Sequence, residues 1–586
     1  MNKKDLILNI LLFISQIIVF YYFFCYLFPF KEQLQMFQFT SQYLTETLKQ
    51  AGGVAIYISE FLSQFYVVFW TGPIISALLL TLVALLSSLI LKKINSRNDL
   101  PLIFLLPWLS LLMISLDYDY YEQGTIAYLF LLLFLWLYTN IKTRIKFIYG
   151  ICIIPILYGI AGPIVHLFAI SALFFEFLTN GKKKYISIIY LLIAALSAIA
   201  GTYLGYSRNL TLAFLPEAYC NPLQTVSGIY YAWYALPMTM LLVAYLKRYK
   251  EPVSLKGKCI WEGAQWAIMF LLVYQGIFHF GKLDAQHSMK QDYLLRTEQW
   301  DLVISEFNHD VLSKRRMCGL NLALAHKGQL SERLLDYPQH GIETLMLHWD
   351  QSIYTAQLHS DLYYCMGIIS AAQKFAFEAF VSSRSSGNPR MLKRLIETNL
   401  ITGSYPIADK YIQLLEKTWF YKDWATAHRR FLYNDKAVEE DKILGMKRRC
   451  WKAEASAAKL YTDPVSSLIN LLPACPDNKA GLAYLTSFLL LNKDIETYKT
   501  LQESLYRSPA WRDMTECQQE AIVICSPNDP HFWLEHGVSI KVRNRAIAFM
   551  QKVQDVSRSG QNLAVALASE YGKTYWYYYM FNMMDK

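Results

Sequence analysis

The chain has 586 residues, is 54% hydrophobic and carries a formal net charge of +10. It is too long for one ordinary domain and, with a mean hydropathy of +0.21, too apolar for an average soluble protein. Its cations gather at the ends of apolar runs, as membrane topology requires, so no nucleic-acid partner is expected.

The long uncharged runs fall within residues 5–280, whereas residues 281–586 have ordinary polar content. This predicts an all-α chain, with a polytopic transmembrane helix bundle in the lipid bilayer over 1–280 and a soluble helical domain over 281–586. The start, MNKKD followed by an apolar run, lacks a small-residue cleavage site and reads as an uncleaved signal anchor with Lys3 and Lys4 in the cytoplasm. Residues at about 32–66 alternate apolar and polar positions at helical spacing on either side of Gly52 and Gly53, which predicts two short amphipathic helices at the membrane surface. Further spans are expected at 67–91, 100–116, 125–141, 147–161, 164–178, 185–205, 228–246 and 260–280, about nine in all. Gly162-Pro163 marks a tight hairpin between two spans that are short for a bilayer.

The charges fix an orientation for this count. Lys92, Lys93 and Arg97, then Lys142, Arg144 and Lys146, then Lys182 to Lys184, then Lys247, Arg248, Lys250, Lys256 and Lys258 all fall on the side of Lys3 and Lys4. The alternate connections hold only Lys31, Lys49 and Arg208. Cation-rich loops stay in the cytoplasm, so the soluble half is expected outside it.

After residue 280, helix-length segments are broken by Gly, Asn and Pro without strand alternation. In PRMLKRLIETNLITGSYPIADKYIQLLEK, the residues Leu400, Gly403, Ala408 and Ile412 sit where a tetratricopeptide-type helix pair needs a large residue, a turn glycine, a small contact and a second large residue. Leu322, Ala325 and Gly328 echo this with Arg333 in place of the small residue, and a fainter echo puts Asn492 in the glycine's place. Irregular repeats of this kind predict a TPR-like α-solenoid whose concave face binds a protein partner. The terminal EYGKTYWYYYMF is too aromatic to stay in water and should pack on the solenoid or touch the membrane.

The apolar multi-span half, the junction QWDLVISEFN, the run NLALAHKGQLSERLLDYPQHG and the terminal GKTYWYYY together resemble a family of polytopic membrane proteins of the Bacteroidetes known only as a domain of unknown function. That resemblance implies the inner (cytoplasmic) membrane of a Gram-negative cell and a periplasmic soluble half. It implies no activity and no functional residues.

Ten cysteines show no CxxC pair or zinc-ligand spacing, so no structural metal is expected, and no cofactor motif is present. In an oxidising compartment one or two disulfides could form in the soluble half; buried free thiols are the alternative. The chain also lacks the Gly-rich phosphate loops, the GxSxG elbow and the HExxH helix of common enzymes. The expected role is that of an accessory or scaffold protein whose helical repeats recruit an envelope partner. The alternative is a polytopic transferase acting on a lipid-linked sugar or polymer, in which outward-facing Asp117, Asp119 and Arg208 would be the catalytic groups. A carboxylate there would serve as general base, and the arginine would pair with a lipid phosphate. The simpler reading of DYDYYEQ is an acidic, aromatic interface belt. Within the expected spans His166 and Glu176 are the ionisable residues of interest; such groups often mark an ion pathway, but each lies near a span end from which it can reach water.

Overall fold

The computed structural model of the protein describes residues 3–97, 100–179, 186–221, 226, 228–249, 254–307, 313–383, 387–456, 463–509 and 511–582. Lys182 to Lys184 and Lys250 lie outside them. The described residues are helical apart from loops, with no strand and one isolated antiparallel bridge between Tyr120 and Cys220. They form two compact units, Met1–Met289 and Lys290–Lys586.

Unit 1 runs through α1 (Lys3–Phe23), α2 (Leu27–Glu32), α3 (Ser41–Leu48), α4 (Gly53–Ser63), α5 (Thr71–Ile94), α6 (Pro101–Ser115) and α7 (Glu122–Asn140). It continues through α8 (Thr143–Ala161), α9 (Val165–Leu178), α10 (Ile189–Tyr203), α11 (Leu210–Phe214), α12 (Ile229–Leu246), α13 (Leu255–Phe280) and the start of α14 (Leu283–Arg296). Five stretches are long and apolar enough to cross a membrane: Asp5–Phe23, Thr71–Ile94, Glu122–Asn140, Ile145–Leu178 and Ile229–Leu246. A sixth is reached if α13 and α14, bent by 59° at their junction, count as one span. Nine stretches were expected from the sequence; α6 and α10 are apolar but short. The stretch expected at 147–161 is longer than that, because α8 begins at Thr143.

These helices are apolar on nearly every face, which suits a lipid-facing bundle. Outer residues such as Ile260 and Phe270 are 73% and 74% exposed. Inside the unit, Ala77, Ala84 and Ser87 on α5 are fully buried where α5 packs against α1, α6 and α7. Small side chains of this kind let helix backbones approach closely. At the turn between α3 and α4, Gly52 has φ +77° and its N–H donates to Tyr158 O at 3.1 Å. A Cβ at that position would lie 3.0 Å from the backbone carbon of Ala161, so both the conformation and the space ask for glycine. α4 itself packs against α7 and α8 and buries Ala55, Ile56, Ser59 and Glu60.

Side-chain contacts sort the helix ends into two groups. At one end Lys92 pairs with Asp5 at 2.7 Å, Lys93 donates to Asn140, and Arg97 donates to Leu246 O and Tyr249 O at 3.2 and 2.7 Å. Lys146, near the start of α8, pairs with Glu176, near the end of α9, at 2.6 Å, so these two helices fold back on one another. Their turn is stapled by Tyr219, whose hydroxyl donates to Ala161 O at 2.5 Å and accepts from Ile164 N at 3.1 Å. Lys92, Lys93, Arg97 and Lys146, cations of the expected inward loops, therefore share one end of the unit. The 117–121 loop, the 219–221 segment and the α13–α14 junction meet at the other.

Unit 2 contains α15 (Trp300–Ser305), α16 (Lys314–His326), α17 (Leu330–Arg333), α18 (Ile353–Met366), α19 (Ile369–Ser382), α20 (Pro389–Thr402), α21 (Tyr405–Glu416), α22 (Lys422–His428) and α23 (Asp435–Glu440). It ends with α24 (Lys442–Ser456), α25 (Pro464–Leu471), α26 (Lys479–Leu491), α27 (Ile495–Leu505), α28 (Glu516–Cys525), α29 (Pro530–Glu535), α30 (Ile540–Ser559), α31 (Leu563–Tyr571) and α32 (Tyr575–Phe581). Consecutive helices pack on one another, as α18 on α19, α19 on α20 and α20 on α21. In the α20–α21 pair Leu400, Ala408 and Ile412 are fully buried, and Gly403 takes φ +76° between the helices. The first echo forms a shorter pair, since α17 stops after four residues at Arg333. In the second, the left-handed residue is Lys493, φ +56°, not Asn492. Cys450 and Cys475 form a disulfide with Cα atoms 5.4 Å apart.

Candidate functional site

A group of buried charges lies at the cation-poor end of unit 1, built around the loop that follows α6. Asp117 N donates back to Ile114 O at 3.1 Å, and Asp117 Oδ1 accepts from Asp119 N at 3.0 Å, a local turn that short acidic side chains favour. The loop then pairs with the 219–221 segment: Tyr121 N donates to Tyr219 O at 3.0 Å and Asn221 N to Asp119 O at 2.8 Å. This pairing places both carboxylates in the interior, Asp117 5% and Asp119 2% exposed.

Cations from distant elements close over them. Lys282, in the left-handed conformation at φ +41° just after α13, lies 2.9 Å from Asp117 Oδ2 and 3.8 Å from Asp119 Oδ2, with its ammonium over the Tyr118 ring. Lys31, at the end of α2, donates to Ser115 O at 3.1 Å. Glu122 accepts from Ser76 Oγ at 3.3 Å, and Asn221 Nδ2 donates to Asp119 Oδ1 at 2.9 Å. Three carboxylates thus share two ammoniums. Burial raises the Asp119 carboxyl above its ordinary range, with the Asn221 hydrogen bond pulling it back. Burial likewise lowers Lys31, against the opposing pull of Glu122 and Asp117. Burial works against the Lys282 ammonium too, but the hydrogen bond and charge of Asp117 outweigh it and leave its pKa raised.

The structure brings Asp117 and Asp119 together and leaves Arg208 elsewhere. Arg208 is exposed on the loop between α10 and α11, and none of the contacts that Asp117 and Asp119 make among the described residues involves it. Glu122 was grouped with Asp117 and Asp119 from the sequence as part of one short acidic outward loop, whereas Lys31 and Lys282 were missed as members of this group. The available signal was that Lys31 is one of the few cations in an outward connection. Of the two ionisable residues singled out within the expected spans, Glu176 is taken up by Lys146 and by the Tyr138 hydroxyl at 3.2 Å, and His166 stacks on Phe214 with ring centroids 4.7 Å apart. No group of three His, Cys, Asp or Glu side chains among the described residues is placed to hold a metal ion.

A family match decides the classification. Residues 2–582 match the family of unknown function DUF6057. The chain belongs to this family. No curated protein and no solved structure matches it. The description of the DUF6057 family names no activity.

Proposed function

We propose that the protein is a multi-pass inner-membrane protein whose second unit is a TPR-like helical array in the periplasm that docks an envelope protein. The observation that carries this reading is the sorting of helix ends in unit 1. Lys92, Lys93, Arg97 and Lys146 gather at one end, and α13 finishes at the other, where Lys282 meets Asp117. With the cationic end in the cytoplasm and about nine passes, the chain after Phe280 emerges on the far side of the membrane. The Cys450–Cys475 disulfide supports the same side, because such bonds persist in oxidising compartments. Docking surfaces expose apolar and aromatic residues on an otherwise wet domain, and Trp419 and Ile443 are 62% and 57% exposed in unit 2.

The test has two arms. Alkaline phosphatase fused after Lys586 should be active and a green fluorescent reporter at the same place dark; the reverse pattern removes the periplasmic reading. Crosslinked affinity purification should bring down one dominant envelope protein, and Trp419→Glu with Ile443→Glu should abolish its recovery without lowering expression.

A second reading, a lipid-linked glycosyl or polymer transferase, draws support from an apolar groove of about 560 Å³ between α6, α12 and α13. It reaches Ile114 and Phe280, three residues before Asp117 and two before Lys282, so a lipid chain lying in it would bring its head group towards the charge network. Accumulation of a lipid-linked sugar in cells carrying Asp117→Asn or Asp119→Asn, with normal protein levels, would favour this reading over docking. Unchanged lipid pools in both variants would remove it.

A further inference from the structure

Unit 2 has a half-open pocket of about 490 Å³ between the loop after Leu334 and the C-terminal helix α32. That volume falls in the range of small-molecule sites, about 300–1,000 Å³. Its two walls lie within residues 335–341 and 572–582, which come from opposite ends of the unit's sequence.

Both walls are fixed by contacts outside the cavity. In the loop, Gln339 is buried; its Nε2 donates to Leu334 O at 2.8 Å and its Oε1 accepts from Thr344 Oγ1 at 2.7 Å. The Tyr337 ring stands edge-on to Phe307, centroids 4.7 Å apart. In α32, Tyr575 OH donates to Leu490 O at 2.8 Å, Tyr578 OH to Leu491 O at 3.0 Å and Trp576 Nε1 to Glu520 O at 2.9 Å. A site held open in this way loses little conformational freedom when a ligand enters.

The lining is aromatic and polar at once. Tyr577 and Phe581 line it from α32, their ring centroids 4.8 Å apart, and Asp336, His340, Lys573 and Asn582 supply donors and acceptors of both kinds. Among the lining side chains Asp336 and Lys573 lie 3.9 Å apart and balance in charge, and Arg333, outside the lining, is held by Asp336 at 3.4 Å, so the lining itself presents no surplus of cations with which to trap a phosphate or polyanion. A molecule with flat C–H faces for the rings, hydroxyls around its edge and no charge answers this combination. We propose that the cavity binds a short neutral oligosaccharide. Tyr577 and Phe581 pack against sugar faces, and Asp336, His340, Lys573 and Asn582 hydrogen-bond the hydroxyls. The site is contained in unit 2 and depends on neither reading of function above.

The full-length protein in lipid nanodiscs, free of sugar-headed detergent, is titrated with maltotriose, cellotriose, mannotriose and triacetylchitotriose, with trigalacturonate as the anionic control. Binding is read by saturation-transfer NMR and calorimetry. At least one neutral trisaccharide should bind with Kd below about 1 mM. Its affinity should fall about tenfold or more in both His340→Ala and Phe581→Ala, with the thermal midpoint unchanged. His340 is exposed at the rim, so its variant keeps the test free of folding effects. The proposal is overturned if no neutral trisaccharide binds, if both variants bind as tightly as the wild type, or if trigalacturonate is preferred.

Discussion

An ammonium as enclosed as that of Lys31, 7% exposed, is kept by its surroundings: Glu122, Asp117 and Asp119 offset the burial and Ser115 O takes a hydrogen bond. Removing one member of such a group leaves uncompensated charge. Lys31→Met should therefore cost about 3 kcal/mol, and adding Glu122→Gln should restore part of it, as read by thermal unfolding in detergent. Glu520 makes the opposite case in unit 2. Burial pushes its carboxyl up to about 7, although Tyr575 N donates to it at 2.7 Å and Arg545 lies 3.7 Å away. A folded value above the unfolded one means that the stability is present below the unfolded value and is lost as the pH rises through the folded value. Glu520→Gln should accordingly match the wild type near pH 4.5 and exceed it by about 3 kcal/mol at pH 8. A difference between the two proteins that does not vary with pH would contradict this. Neither environment was legible in the sequence. Lys31 reads there as one of the few outward cations and Glu520 as an ordinary helix carboxylate, because burial is set by elements remote in the chain.

The α20–α21 pair was legible residue by residue, because everything that specifies it is local. Leu400, Gly403, Ala408 and Ile412 lie within one hairpin, and their spacing alone places them on the contact face. Ala408→Leu should force the helices apart and cost about 1–3 kcal/mol. Gly403→Val, at φ +76°, should also destabilise the pair, with local deprotection in hydrogen exchange across 389–416 as the readout. Where the pattern weakens, so does the element: a large charged side chain at Arg333 accompanies a one-turn α17. At the faint echo the chain still turns left-handed, but through Lys493, one residue later than composition suggests. Helix lengths in the apolar half were harder to read. An uncharged run shows where a helix can lie, whereas its ends depend on caps and packing, so α6 and α10 come out shorter than the apolar runs that contain them.

At the scale of the molecule, the split into a membrane half and a second helical half was readable as a change in composition, but what closes the cation-poor end of unit 1 was not. Asp117 and Lys282 are separated by 165 positions, and no periodicity links them. The aromatic C-terminus was expected to pack, and it does: Tyr575, Trp576 and Tyr578 are buried against α26 and α28. Unit 2 closes its own contacts, including Arg390 between Asp292 and Asp361, so residues 290–586 secreted behind a cleavable leader should fold alone. Helical circular dichroism with one cooperative melt is the expected result; an aggregated or non-cooperative product would show that the unit needs the bundle. The Cys450–Cys475 bond, both sulfurs almost wholly enclosed, adds a dependence on the cell that makes it. On the proposed periplasmic reading, a bond this enclosed forms while the chain is still emerging and open, before α24 and the segment after α25 close over the thiols. In bacteria stripped of their thiol oxidase the transcript should persist while the protein is degraded, and a Cys450→Ala, Cys475→Val version should escape that loss.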